Sequence, residues 1–455
     1  MNKMQKTVGA LLSALSVSAV AAVPEISNVA ISQGPSPAVT ITYALANGPA
    51  VVTLDIETNC TTEAGTAWVS IGGENINTFT SGSDVFRKVT GDGPHTIKWR
   101  ADRSWREHTV AEGNIRAVLK AWPLNNTPDY MVLDITEGAQ PGTQRYYPSV
   151  EFLPGGIISN RIYRQSQLVM RKVRAKGIPW VMGSIAENGR DSTTEATHLV
   201  TLEEDYYLGV FPLTQRQARQ LNYAYPHTFT FTNPAAEELR PLDGAKYSYL
   251  RSNAGSSNAA YEWPNDPHPD SILGVLRKRT GLEFDMPSEA EWEFACRAGH
   301  GEGEWGDGSM FSSTDSNLTD ANLDRLGRYR MNGGYKDGQD AGTGVGPENG
   351  PAIVGSYDPN SWGFYDMYGS CYEWCLDWYE ADISARNGVL NIDSNDNTKT
   401  LSGATGEYRV LRGNTYAFTA KSHRSAVRTG RKPGDGQPSA AYIATLRVRC
   451  PADLD

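Results

Sequence analysis

The sequence predicts an α+β chain in which an all-β sandwich precedes a loop-rich domain of short helices around a small sheet. Three observations carry that expectation. Residues 23–137 read as period-two apolar segments separated by Gly, Asn, Ser and Pro clusters. Two later stretches, "PDSILGVLRKRTG" and "PSEAEWEFACRAG", carry helix start and stop signals. Beyond Arg297, about 150 residues are mostly Gly, Asn, Asp and aromatic, too turn-rich for a helical or doubly wound fold.

At the start, Lys3 and Lys6 precede an apolar run from Val8 and the small-residue stretch Ala19-Val20-Ala21. This is the pattern of a secretory signal peptide over residues 1–21. Its apolar run is short for a bilayer, and no later stretch of about 18 apolar residues follows. The mature chain is therefore expected to start near Ala22, without a membrane span, in an exported location: periplasmic, cell-surface or secreted. Losing the two leader lysines takes the formal charge from −10 to −12. With no basic stripe to offset it, this balance argues against a nucleic-acid partner. The five cysteines, Cys60, Cys296, Cys371, Cys375 and Cys450, are too sparse for a disulfide scaffold in a chain this long.

Residues 23–137 hold "AVTITYAL", "AVVTLDIET", "HTIKWRA", "IRAVLKAW" and "YMVLDIT", expected strands of an immunoglobulin or fibronectin III-like sandwich with Trp99 and Trp122 as core anchors. This part has only His95, His108 and the single Cys60, so it reads as a spacer or adhesive unit rather than a catalytic one. The turn-rich "TEGAQPGTQRYYPSVEFLPGG" marks a linker over residues 138–167, and a second domain is expected over 168–451. In the first helix, apolar residues from Ile272 to Leu276 are followed by basic ones and Gly281 as a stop. In the second, Ser288 and Glu291 have the spacing of a capping box, with Gly299 as the stop.

The stretch "GSCYEWCLDWY" places Cys371 and Cys375 four apart. On a helix their Cβ atoms would be about 5–6 Å apart, beyond the roughly 3.5–4.5 Å a disulfide tolerates. On a strand the residues would be separated by about 13 Å, so they do not bond to each other. A strand suits the pattern better: Tyr372, Trp374, Leu376 and Trp378 fall on a core face, and Glu373, Cys375 and Asp377 on the other.

The pieces "WVMGS", "THLVTLEEDYYLGVFPLTQRQ", "FDMPSEAEWEFACRAG", "DANLD", "SWGFYDMYGSCYEWCLDWY", "YRVLRGNTY" and "HRSAVRTGRKP" together resemble the formylglycine-generating enzyme, or sulfatase-modifying factor, family. The resemblance implies a variant of the C-type lectin fold for this domain. It also implies calcium, held by Asn322 and the Leu323 carbonyl in "DANLD", and by Glu373 with backbone carbonyls of Gly369 and Cys371 in "GSCYEW". Ser370 stands where the family usually has Asn, and a hydroxyl is a poorer calcium donor than an amide oxygen. The alternative for Glu373 is a carboxylate hydrogen-bonded to backbone amides without an ion. The same resemblance implies a disulfide between Cys296 and Cys450.

The family's enzymes oxidise a sulfatase cysteine to formylglycine with copper held by two cysteines in the segment after the Arg-Gly turn. Here that segment has no cysteine between Cys375 and Cys450, which disfavours copper. The related sulfoxide synthases need a histidine pair four apart, and the seven histidines include none. The sequence thus leaves the enzyme question open between two readings. The first is a non-catalytic module that recognises an extracellular glycan, peptide or protein, with Tyr416 and Phe418 offering flat contact area and Thr419 and Ser422 hydrogen bonds. His423, Arg424 and Arg428 complete the ligand-facing set, the two arginines holding either an internal carboxylate or an acidic ligand. The second is a metal-dependent oxidase of a protein cysteine with an altered site, for which His423 is the weak catalytic candidate.

Overall fold

Alternation of apolar and polar residues in Val39–Ala46 buries every second side chain, so this strand sits between Glu25–Gln33 and Gly93–Trp99 in an antiparallel three-stranded sheet. The long strand Ala50–Thr62 pairs with Gly65–Ser70, Arg87–Val89 and Ile115–Trp122 to make the facing sheet. A computed structural model describes residues 22–454 apart from 63–64, 185–188, 223–237, 255, 257, 302, 304, 313–318, 334, 337–338, 341–349, 387–391, 394–405 and 436–442. The leader expected over residues 1–21 lies outside the described residues.

The two sheets enclose Ile41, Val52, Leu54, Ile97 and Trp99. Trp99 is an anchor as expected, its indole N–H shared between Asn75 O and Ser104 Oγ. Trp122 is only half-buried; it donates to Thr53 Oγ1 and packs against the core of the next domain, because its strand end faces that way.

The strand Tyr130–Asp134, placed in the sandwich by sequence, belongs to a different sheet. It pairs antiparallel with Gln167–Val173, which in turn pairs with Tyr206–Gly209 and, through it, with Arg449–Pro451. Residues read as a linker supply the fifth strand, Arg145–Tyr147, against Tyr130–Asp134. This stretch is therefore structured, and its apolar residues weld the parts together. Tyr147, Leu153 and Tyr163 share one core with Ile41 and Trp99 on one side and Val169, Val210, Phe211 and Val354 on the other.

The second sheet of the domain orders Thr429–Arg431, Arg409–Arg412, Tyr372–Trp378 and Ala444–Thr445. Helix Ile272–Thr280 starts at Ser271, whose hydroxyl accepts Gly274 N–H, and stops at Gly281 with φ 72°. Helix Glu289–Arg297 has the expected capping box: Glu291 N donates to Ser288 Oγ at 3.2 Å, and Ser288 N donates to Glu291 Oε2 at 2.8 Å. Its left-handed stop comes at Ala298, one residue before Gly299.

A helix whose first turns carry Glu289, Glu291 and Glu293 would normally face water, yet all three are buried. Each meets arginine. Arg412 donates to Glu289 at 2.8 Å and Glu293 at 2.7 Å, and Arg449 donates to Glu291 at 2.7 Å.

Candidate functional site

The strand Arg409–Arg412 runs into Gly413 and Asn414, both in the left-handed region at φ 80° and 63°. That reversal starts a closed loop over residues 413–423. Asn414 Nδ2 donates to Ser422 O at 2.7 Å and ties the two ends. His423 lies inside, with Nε2 at 2.9 Å from Thr415 O and Nδ1 at 3.0 Å from Thr419 O. Burial pushes its imidazole down to about 4, so the ring is neutral and its single N–H serves one of those carbonyls. His423 is thus a pin for the loop.

Tyr416, Phe418, Thr419 and Ser422 are half-buried. Tyr416 packs on Cys371 and Ile443, and Phe418 meets Tyr372 edge-on at 6.3 Å. Arg330 N donates to Phe418 O at 2.9 Å, joining the loop to residues 329–333. These four residues are the part of the expected ligand-facing set that keeps some exposure.

The rest of the ligand-facing set does not. Arg424 is buried and donates twice to Glu195, at 2.6 and 2.8 Å, and also to Gly189 O. Arg428 is buried and donates twice to Glu289, both at 2.7 Å. The internal-carboxylate alternative therefore describes both arginines. With His423 they support the loop from beneath and present nothing to a ligand.

Glu373, an expected calcium ligand, is surrounded by hydrogen-bond donors. Glu373 Oε2 accepts Trp292 Nε1 at 2.7 Å and Arg447 Nε at 2.8 Å, and its Oε1 accepts Arg447 Nη2 at 2.6 Å. A guanidinium already holds both oxygens, so a calcium ion does not fit there. The partners are side chains, where the ion-free alternative had backbone amides. Gly369 and Cys371 flank this place: a Cβ on Gly369 would fall 1.8 Å from Arg328 O and 3.3 Å from the His423 ring, so glycine is required for that approach. Cys371 is buried against Ile443.

At "DANLD", Asn322 N and Leu323 N both donate to Asp320 Oδ1, at 3.0 and 2.8 Å, and Asn322 Nδ2 donates to Met310 O. The turn's buried carboxylate is committed to its own backbone and to Ser312. Of the two expected ligands, the Leu323 carbonyl already accepts Gly327 N–H at the end of the short helix Leu323–Leu326.

Cys371 and Cys375 are buried, and burial holds both thiols well above their usual range. Tyr372–Trp378 is the expected strand, but both of its faces are buried, because Glu373 and Asp377 have internal donors in Arg447 and Glu289 N. The disulfide implied for Cys296 and Cys450 is not formed. Cys296 donates to Ser425 Oγ at 3.6 Å within one core cluster, while Cys450 sits opposite Tyr207 in another. Both are free thiols.

Sequence reasoning missed the arginines that organise this region, Arg412, Arg447 and Arg449. A signal was present: Arg447 and Arg449 alternate with apolar residues in "ATLRVRC", which places them on one face of an extended segment.

The capped helix, the arginine-bound glutamate and the pinned loop belong to one loop-rich α+β domain. The chain belongs to the family described as Sulfatase-modifying factor enzyme 1-like domain, which it matches over residues 164–441. It is similar to the "Formylglycine-generating enzyme" of Thermomonospora curvata, 30% identical over 219 residues that cover 45% of this chain and 62% of that protein. It therefore spans less than two thirds of that relative's length. It is also similar to "Chaperone protein LppX" of Paenibacillus barcinonensis, 27% identical over 223 residues, 45% of this chain and 74% of that one. Among solved structures, Treponema denticola variable protein 1 aligns with a TM-score of 0.43 and 20% identity over 63% of this chain and 95% of its own.

Proposed function

We propose that this protein is an exported recognition module of the family that binds a glycan, peptide or protein without chemistry, through the loop face of Tyr416, Phe418, Thr419 and Ser422. One observation carries the reading. The segment that bears the copper thiols in the family's enzymes has no cysteine here, and its one histidine is enclosed by its own loop carbonyls. Side chains that hold a loop still are not available to hold a metal or move a proton. What remains accessible is a rigid aromatic and hydroxyl surface, which suits binding. Export is inferred from the leader pattern of residues 1–21.

The competing oxidase reading draws on the similarity to formylglycine-generating enzyme, and one assay separates the two. Purified protein is incubated with a cysteine-containing sulfatase peptide, copper and a reductant, and the peptide is analysed by mass spectrometry for the aldehyde. No catalytic conversion is expected. Accumulation of formylglycine over many turnovers, lost in His423→Ala but retained in Tyr416→Ala, would establish an oxidase and end the recognition reading.

A further inference from the structure

Where the sandwich meets the five-stranded sheet, two cavities of about 340 and 480 Å³ lie on either side of Arg145 and Tyr147, which line both. Volumes of this order suit small ligands, whose sites run to roughly 300–1,000 Å³. Arg145 Nη1 donates to Val85 O at 3.1 Å, and among the described residues its guanidinium forms no ion pair. Arg87 lines the smaller cavity; its charge is shared with Asp84, which also holds His95. Partial burial, and then the charge of Arg87, lower Arg145 from its usual value, as for two cations facing one space.

The remaining lining decides what kind of anion fits. The smaller cavity adds the Ser81 turn, and the larger adds Gln140, Thr143, Gln167 and the Asp134 carboxylate. Thr143 Oγ1 donates to Gln140 O at 2.7 Å, which leaves its lone pairs for a ligand hydroxyl. Neutral amides, hydroxyls and one carboxylate match the hydroxyls of a polyhydroxylated ring. An extended peptide is a poor match. The outer edge of Arg145–Tyr147 is already closed, Tyr146 N donating to Phe86 O at 2.9 Å.

We infer that this cleft binds an acidic oligosaccharide, its carboxylate or sulfate ester on Arg145 and its ring hydroxyls on Gln140, Thr143 and Gln167. The site shares no residue with the 413–423 loop, so it stands or falls separately from the recognition face proposed there.

Titration calorimetry of the full chain at low ionic strength tests this with four probes: trigalacturonate, a sulfated trisaccharide, neutral maltotriose and inorganic sulfate. At least one acidic trisaccharide is expected to bind, and maltotriose at least about tenfold more weakly. Arg145→Gln should lose about tenfold, Arg145→Lys should keep part of the affinity, and Gln167→Ala, which keeps every backbone bond, should weaken binding should Arg145→Gln fail to fold. Tyr416→Ala should change nothing. Absence of binding by both acidic trisaccharides would overturn the inference, as would full affinity in a folded Arg145→Gln. So would inorganic sulfate binding as tightly as the trisaccharides, the mark of an adventitious ion only, or loss of binding in Tyr416→Ala, which would put the sugar on the loop face.

Discussion

Arg447 grips Glu373 through two hydrogen bonds, 2.8 and 2.6 Å long, at the place where the family resemblance suggested a calcium ligand. The same guanidinium donates to Gly209 O and Val210 O, so one side chain fastens Tyr372–Trp378 to the five-stranded sheet. An internal cation thus stands where an ion was expected, and the sheet-to-sheet contact depends on it.

Removing that cation should be costly. Arg447→Met is expected to destabilise the protein by about 3–5 kcal/mol, because it leaves Glu373 buried without its partner. Urea unfolding checks the size, and the double variant Arg447→Met with Glu373→Gln should recover part of the loss. In the parent protein, calcium or a chelator should leave the melting temperature unchanged.

His423 and Asp366 should oppose each other as pH changes. His423 is held at about 4 by burial, below its ordinary 6.5, so stability present above pH 6.5 is lost as pH falls towards 4. Asp366 is raised from 3.8 to about 6 by burial, its Oδ1 without a hydrogen-bond partner among the described residues, so stability is gained as pH falls through 6. Each effect is roughly 3 kcal/mol at full extent. Unfolding of Asp366→Asn at several pH values should show a steeper acid loss than the parent, and His423→Gln a shallower one. Parallel curves for parent and variants would refute the pairing.

All five cysteines should react with a thiol reagent once the protein is denatured without reductant. Peptide mapping checks this, and a Cys296–Cys450 linked peptide is the contrary result. Under native conditions only Cys60, which is exposed, should label quickly, since burial raises the thiols of Cys296 and Cys450 to about 11 and 12.

The sandwich and the second domain should not separate. A fragment starting at residue 138 lacks Tyr130–Asp134 and exposes the sheet edge at Gln167–Val173. It is expected to aggregate or to melt well below the full chain, and limited proteolysis should fail to leave two stable halves. A soluble, cooperatively folding fragment would contradict the shared core.

The family fold, the two capped helices and the strand character of residues 372–378 were legible because their signals are local: a Ser and Glu three apart, a stop glycine, a period of two. The domain boundary was not, since Tyr130–Asp134 reads the same whichever sheet it joins, and only its partner Gln167–Val173 decides. The same contrast holds around the 413–423 loop. Tyr416, Phe418, Thr419 and Ser422 lie close together in the chain, so the loop carries them together. Arg424 and Arg428 look like ligand clamps until Glu195 and Glu289, more than 130 residues away, arrive beside them. Charge pairs of that range leave no mark on either segment alone.

The outer strand Arg449–Pro451 has a bearing on how the chain is made. Ribosomal synthesis delivers the sandwich early, but the sheet beneath it stays open at Tyr206–Gly209 until the last of these strands emerges. Until then Glu291 is a buried acid awaiting Arg449, and Glu373 awaits Arg447. A chain that stopped before residue 444 would lack both arginines and be fit for proteolysis rather than for use.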